Sequence, residues 1–219
     1  MLEALFLGAF VVVSSVGWVR LFMEPNAQVL WVAPGALVGW LVADLISGCV
    51  HFLADNFGST ETPIFGRTLI AAFREHHINP KQMLEHGFLE RNGWNCGGAC
   101  VLGLPTWFSD GSGEWHFFSP LLLTGALFVA TTNQIHAWAH SPRRPWLVRA
   151  FQSAGIILQP RQHALHHRHV GPASHVLAAI HAEGSLRTRF ARGHYCITSG
   201  VWDRLLGGGV LRSPSTSKR

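Results

Sequence analysis

Four apolar runs separated by polar connections dominate the first part of the chain. They cover residues 2–22, 29–49, 96–108 and 117–132. A membrane-spanning helix needs about 20 apolar residues, which the first two runs supply in full. The third run is shorter and contains Gly103 and Pro105, a length and composition closer to a tilted or re-entrant segment. The pattern predicts an all-α integral membrane protein with about four transmembrane helices.

Basic residues are distributed unevenly between the connections. If all four runs cross the membrane, both termini and the connection 55–95 share one side, and Glu24 and the turn 110–116 lie opposite. Every Lys and Arg except Arg20 then falls on the side of the termini. The positive-inside rule makes that side cytoplasmic. The first run lacks a basic leader and a cleavage site, so it is expected to be a retained span.

Composition supports a membrane domain. The 219 residues are 48% hydrophobic and 13% charged, whereas a soluble domain has about 25% charged residues. The length suits a single domain over 1–219. The net charge of +5 follows from the basic connections, so anionic lipid headgroups are the expected neighbours and no nucleic acid partner is needed. The four cysteines form no CxxC pair, which indicates a structural role.

The 14 histidines cluster near the ends of the apolar runs. His51 and Asp55 follow the second run with a spacing of four, and His136 and His140 repeat that spacing after the fourth. On a helix, residues four apart share a face and can converge on one ion. A capped or hydrogen-bonded histidine at a helix end would explain either pair alone. Two pairs at the same depth favour a metal site.

Two further clusters lie in the polar connections of the same side. FREHHINP contains His76 and His77, and His86 follows; QPRQHALHH contains His163, His166 and His167. Neutral imidazoles with nearby carboxylates suit iron, zinc or copper. One zinc ion needs about four ligands, so this number of histidines predicts a di-metal site. Two irons with dioxygen can attack an unreactive C–H bond, and the membrane setting makes a lipid alkyl or acyl chain the expected substrate.

Three other classes of protein remain open at this point. A membrane zinc hydrolase would place about three histidines and a carboxylate around one zinc ion. A haem or electron-carrier module would use a facing histidine pair such as His51 and His136. A scaffold without metal is the third alternative. Metal analysis and an absorption spectrum separate these classes.

Six motifs give the chain a resemblance to a known family. They are HFLADNFGS, FREHHINP, HGFLERNGWN, TNQIHAWAH, RQHALHH and YCITSG, between about residues 43 and 206. In these motifs the chain resembles the plasmanylethanolamine desaturase family, of the Kua type, and more distantly the plastid palmitoyl-lipid desaturases. The resemblance implies a membrane phospholipid substrate, a di-iron centre, dioxygen, and an electron donor such as cytochrome b5 or ferredoxin. The implied reaction is formation of the vinyl-ether bond of plasmalogens, with a fatty-acyl lipid desaturase or hydroxylase as the alternative.

The resemblance also assigns candidate residues and a location. The metal-site candidates are His51, Asp55, His76, His77, His86, His136, His140, His163, His166 and His167. Asn133 is expected to hold a water or to orient a ligand from behind. The location implied is a bacterial inner membrane or the endoplasmic reticulum, with the histidine site on the cytoplasmic side.

The chain departs from the family pattern at two places. Gly87 stands where the phospholipid-ether members usually have Asp. An extra segment of about 176–192 separates the HxxHH motif from YCITSG, and it is expected to be an added cytoplasmic helix or loop. His175 and His194 are therefore alternative candidates for the last ligand, and His181 is expected not to be one.

Overall fold

A computed structural model describes residues 1–24, 29–170 and 186–206. Regular structure within these ranges is helical, as predicted. The helices are α1 (Leu2–Met23), α2 (Val29–Asn56), α3 (Ala71–Ile78), α4 (Phe88–Gly103), α5 (Trp115–His140), α6 (Trp146–Ser153), α7 (Pro160–Val170), α8 (Leu186–Gly193) and α9 (Val201–Leu206). A π-helical turn, Gly66–Ile70, precedes α3, and 3-10 turns follow α3 at Gln82–Leu84 and α4 at Leu104–Phe108.

Three helices, α1, α2 and α5, are long and apolar enough to cross a membrane by length and composition. They make the chain an integral membrane protein. They pack in one bundle in which α1 runs antiparallel to α5, since Gly17 of α1 lies against Leu123 of α5 whereas Phe10, earlier in α1, packs with Ala126 and Ala130, later in α5. Helix α2 runs in the same direction as α5, because Gly35 lies against Phe117 and Gly39 against Leu121. The C-terminal ends of α2 and α5 therefore meet at one end of the bundle.

The third apolar run forms the end of α4 and the 3-10 turn after it. Helix α4 begins at Phe88, eight residues before the predicted start, because its polar residues find partners on α5. Arg91 donates to the Gln134 side chain at 3.0 Å, and the Asn92 side-chain oxygen accepts the Gln134 backbone N–H at 2.9 Å. The segment 88–108 runs beside α1 in the same direction, from Glu3 to Gly17. The number of transmembrane helices, about four from the sequence, therefore stays a prediction.

Helices α2 and α5 approach closely at two glycines one turn apart on α2. A Cβ atom at Gly35 would lie 2.4 Å from the Phe117 carbonyl oxygen, and one at Gly39 would lie 2.2 Å from that of Leu121. Small residues spaced by four allow two membrane helices to bring their backbones together. This crossing fixes the distance between the two helices that carry His51 and His136.

Valine at Gly39 is expected to destabilise the bundle by at least about 1–3 kcal/mol, because its side chain has to push the α5 backbone away. The thermal midpoint of the detergent-solubilised protein measures the effect. Gly8→Val on α1 is the matched control, since no atom lies within 4 Å of a Cβ built there. Equal midpoints for the two variants would contradict the close crossing.

Candidate metal centre

The bundle end where α2 and α5 finish carries the first two pairs of candidate ligands. His51 and Asp55 occupy the last turns of α2, and His136 and His140 the last turns of α5. The His51 and His136 rings lie 6.1 Å apart between centroids. The two pairs therefore lie at the same end of the bundle, as their matching positions after the second and fourth runs predicted.

Short helices α3 and α7 cover that end and bring the remaining histidines. Helix α3 carries the dipeptide His76 and His77, and α7 carries His163, His166 and His167. The resulting nine side chains divide into two groups whose ligand atoms each lie within 4.8 Å of one another. Both groups are buried or nearly so.

The five-histidine group consists of His76, His136, His140, His163 and His167. Its Nε2 atoms face one another. His163 lies at its centre, with its Nε2 2.8 Å from that of His136, 2.7 Å from that of His140 and 3.0 Å from that of His167. The Nε2 atom of His76 lies 3.0 Å from that of His140.

The aspartate group consists of His51, Asp55, His77 and His166. The Asp55 Oδ2 atom lies 3.2 Å from His51 Nε2, 3.0 Å from His77 Nε2 and 3.6 Å from His166 Nε2. His51, Asp55 and His166 have no exposed surface. This group carries a carboxylate and the five-histidine group carries none, so the two groups differ in charge.

Two histidine dipeptides divide their members between the groups. His76 belongs to the five-histidine group and His77 to the aspartate group; His167 and His166 are divided in the same way. Neighbouring side chains on a helix point in directions about 100° apart, so a dipeptide can serve two adjacent positions. The groups therefore lie side by side and are linked by the backbone at two points.

Two backbone carbonyls accept hydrogen bonds from the Nδ1 side of two histidines of the aspartate group. The Nδ1 atom of His166 lies 2.6 Å from the Gly193 carbonyl oxygen, and that of His51 lies 3.0 Å from the Tyr195 carbonyl oxygen. A carbonyl only accepts, so both Nδ1 atoms carry the proton and leave the Nε2 lone pairs free for a ligand bond. We call residues 193–195 the carbonyl strap. The sequence predicted His194 as a candidate last ligand and gave no sign of this backbone role.

Helix α8 and α2 position the carbonyl strap. The Tyr195 hydroxyl accepts a hydrogen bond from the Asn56 side-chain amide at 3.0 Å. The Arg189 guanidinium donates to Asn56 Oδ1 and lies over the Phe52 ring. The described end of the extra segment is therefore helical and packed on α2, beside the aspartate group.

Burial keeps four histidines of α3 and α7 neutral, namely His76, His163, His166 and His167. It lowers the pKa of His76 to about 2 and that of His167 to about 3, with neighbouring histidines as the second cause. The pKa values of His163 and His166 also lie well below the ordinary value, mainly because of burial. Neutral imidazoles are the form that binds metal.

Three other predicted residues that the structure describes do not join the groups. His86 is exposed and pairs with Glu90 at 2.8 Å, because the two residues are four apart on the surface. The Asn133 amide donates to the Arg91 carbonyl oxygen at 2.7 Å, so it joins α5 to α4, and its expected role beside a ligand stays a prediction. His194 is buried in the carbonyl strap, where its neighbours provide the carbonyls. His175 and His181 lie outside the described residues.

The two groups fit metal ions. Five Nε2 atoms facing one another at about 3 Å cannot all pair as donors and acceptors, whereas ligands bound at about 2 Å from one ion lie at such separations. The His51 Nε2 and Asp55 Oδ1 atoms are buried without a hydrogen-bond partner in the described structure. Nitrogen donors with one carboxylate suit iron or zinc.

Comparison with known proteins identifies a domain that contains this centre. The lipid desaturase domain model matches residues 40–209. Plasmanylethanolamine desaturase of Myxococcus xanthus is 38% identical over 154 residues, which cover 68% of this chain and 53% of that protein. Plasmanylethanolamine desaturase 1 of Mus musculus is 38% identical over 143 residues, covering 61% of this chain and 52% of that protein.

A plant protein is more distantly similar. Chloroplastic fatty acid desaturase 4 of Arabidopsis thaliana is 32% identical over 170 residues, covering 77% of this chain and 45% of that protein. The chain thus spans about half the length of the relatives it matches. No solved structure matches the chain.

Proposed function

The chain belongs to the lipid desaturase domain family, and on that premise we propose that it introduces a double bond into a hydrocarbon chain of a membrane phospholipid. The observation that carries the proposal is the pair of adjacent ligand groups at the end of the apolar bundle. Relatives named plasmanylethanolamine desaturase favour the vinyl-ether bond as the product. The plant relative is named a fatty acid desaturase, which supports an acyl chain as the alternative substrate.

The nine side chains of the two groups would hold two iron ions. When bound, the irons would activate dioxygen, which is the oxidant that removes hydrogen from an unactivated carbon. Hydrogen bonds to the Gly193 and Tyr195 carbonyls keep His166 and His51 in the ligand tautomer. Asp55 supplies one negative charge to offset the cations, and the buried setting excludes water.

The overall reaction requires an electron donor. The substrate loses two hydrogens as its double bond forms, and dioxygen is reduced to two waters. The balance requires two more electrons and two protons, which a carrier such as cytochrome b5 or ferredoxin would deliver. Under the positive-inside rule, the basic connections support a cytoplasmic location for the donor, the ligand groups and both termini, at a bacterial inner membrane or endoplasmic reticulum.

Lipid analysis of a desaturase-null host that makes plasmanyl lipids tests the proposal. Expression of the chain is expected to yield acid-labile vinyl-ether lipids that the empty-vector control lacks. A new acyl double bond would instead support the fatty-acyl alternative, and no new double bond would contradict both.

Metal analysis of the purified chain is the second arm of this test. About two irons per chain are expected, one for each ligand group. A single zinc ion per chain would favour a membrane hydrolase, for which three histidines and a carboxylate suffice.

A further inference from the structure

A basic groove of about 440 Å³ lies between α6 and the start of α7, outside the ligand groups. Its lining includes Arg144, Arg149, Gln152, Ser153, Gln159 and Arg161, and no acidic residue contributes to it. Three guanidinium groups with no carboxylate beside them in the groove favour binding of an anion. Guanidinium forks match the oxygens of phosphate or carboxylate.

Part of the groove is held rigidly by hydrogen bonds. Gln152 is 4% exposed, and its amide donates to the Leu158 carbonyl oxygen at 3.1 Å. Its side-chain oxygen is thereby turned toward Arg144, whose Nη1 donates to it at 3.1 Å. The Arg144 Nε atom is buried without an acceptor in the described part of the chain. Arg144 is therefore a cation held in a fixed position, and its Nε–H group has no partner among the described residues.

Helix α6 indicates the level of the groove relative to the membrane. Trp146 is 72% exposed, and Leu147 and Phe151 are also exposed, whereas Val148 and Gln152 pack inward. A short helix with exposed aromatic and aliphatic side chains beside arginines is typical of the membrane interface. A groove beside such a helix is expected at the depth of lipid phosphates. A folded protein partner would need a wider surface than this concave groove.

The groove is also close to the ligand groups along the chain. The connection 141–159 joins His140, a ligand on α5, to α7, whose first ligand is His163. Arg161 precedes His163 by two residues, so the two side chains are about 3 Å apart along the axis of α7 and lie on nearly opposite faces of it. Arg144 follows His140 by four residues. A phosphate bound in the groove would therefore lie across the first turn of α7 from the ligands, about 10 Å away, and the adjoining part of the lipid would reach them around that turn.

We propose that this groove binds the phosphate of the phospholipid substrate and places the bond nearest the headgroup at the metal centre. This inference rests on the proposed function, in which the reacting ether carbons are only a few bonds from the phosphate. The first turn of α7 faces the same groove and adds the positive end of a helix dipole.

Lipid binding by the purified full chain in detergent tests the groove directly. Native mass spectrometry compares dioleoyl phosphatidylethanolamine with dioleoylglycerol, which lacks phosphate. The double variant Arg149→Gln/Arg161→Gln is expected to bind the phospholipid about tenfold more weakly, because each exposed guanidinium contributes charge-assisted hydrogen bonds. Its binding of dioleoylglycerol should equal that of the wild type.

The double variant Arg67→Gln/Arg143→Gln is the matched control. It removes the same charge from exposed residues that do not line the groove, and it should bind both lipids as the wild type does. Equal phospholipid binding by the groove variant and this control would overturn the proposal. Displacement by inorganic phosphate at the same concentration would also overturn it, since the groove would then bind a free anion.

Two further outcomes keep the alternatives apart. The binding measurement needs neither turnover nor a donor, so a chain that binds through the groove but makes no double bond would refute the proposed function alone. If the groove variant binds phospholipid normally, and loses turnover with a protein donor but keeps it with a chemical reductant, the groove docks the donor. That result would overturn lipid binding.

Discussion

Alanine at His163 is expected to lower desaturase turnover by more than about 100-fold and to remove bound iron. The His163 Nε2 atom contacts three other Nε2 atoms of the five-histidine group within 3.0 Å, and the side chain is 1% exposed. Without it the group loses its central ligand. Iron per chain and product per chain measure the effect, at equal amounts of extracted protein.

The same experiment with His166→Ala examines the aspartate group, which should lose its iron and turnover in the same way. His86→Ala is the control, because the His86 ring is exposed and pairs with Glu90 outside both groups. It should keep wild-type iron and turnover. Normal product formation by His163→Ala would contradict the metal centre.

Alanine at Asp44 is expected to lower the free energy of unfolding by about 3–5 kcal/mol. Asp44 Oδ1 accepts the backbone N–H groups of Ser199 at 2.6 Å and Gly200 at 2.9 Å, and its Oδ2 accepts that of Trp202 at 3.3 Å. Asp44 has no exposed surface, so alanine would leave three donors buried without an acceptor. The negative charge also faces the N-terminus of α9, where the helix dipole favours it.

The thermal midpoint of the solubilised protein measures this loss. Asp44→Asn is the matched variant, because its side-chain oxygen can still accept from Ser199 and Gly200 while the charge is lost. It should be destabilised less than Asp44→Ala. An Asp44→Ala protein that melts with the wild type would show that this anchor of the C-terminal segment is dispensable.

Helical spacing made much of the centre predictable from sequence. His51 with Asp55, and His136 with His140, were placed on common faces by their spacing of four, and the apolar runs placed both pairs at the same end. His86 was a candidate through the family resemblance, and here its Nδ1 atom pairs with Glu90, outside both groups. The spacing of two residues shows whether they share a face of a helix, but it does not show which other residues that face contacts.

The division of the histidines into two groups could not be predicted. Nothing in the sequence distinguishes His76 from His77. Only the packing of α3 against α2, α5 and α7 assigns them to different groups. The carbonyl strap was hidden for another reason, because any residue provides a carbonyl. His194 adopts a φ of 55°, an unusual backbone conformation that the identity of the residue does not predict.

The early start of α4 was missed because its first turns are polar. Arg91 and Asn92 read as a solvent-exposed connection, yet both bond to Gln134 of α5. Apolar periodicity detects burial against lipid and cannot detect polar pairs between neighbouring helices.

The order of the ligands along the chain has a consequence for biosynthesis. The five-histidine group needs His167 and the aspartate group needs His166, so neither is complete until α7 has left the ribosome. The carbonyl strap follows later still. Under the proposed function, iron is therefore captured after all the apolar helices have been made, and a nascent chain that stops within 141–159 would occupy the membrane without a complete set of ligands.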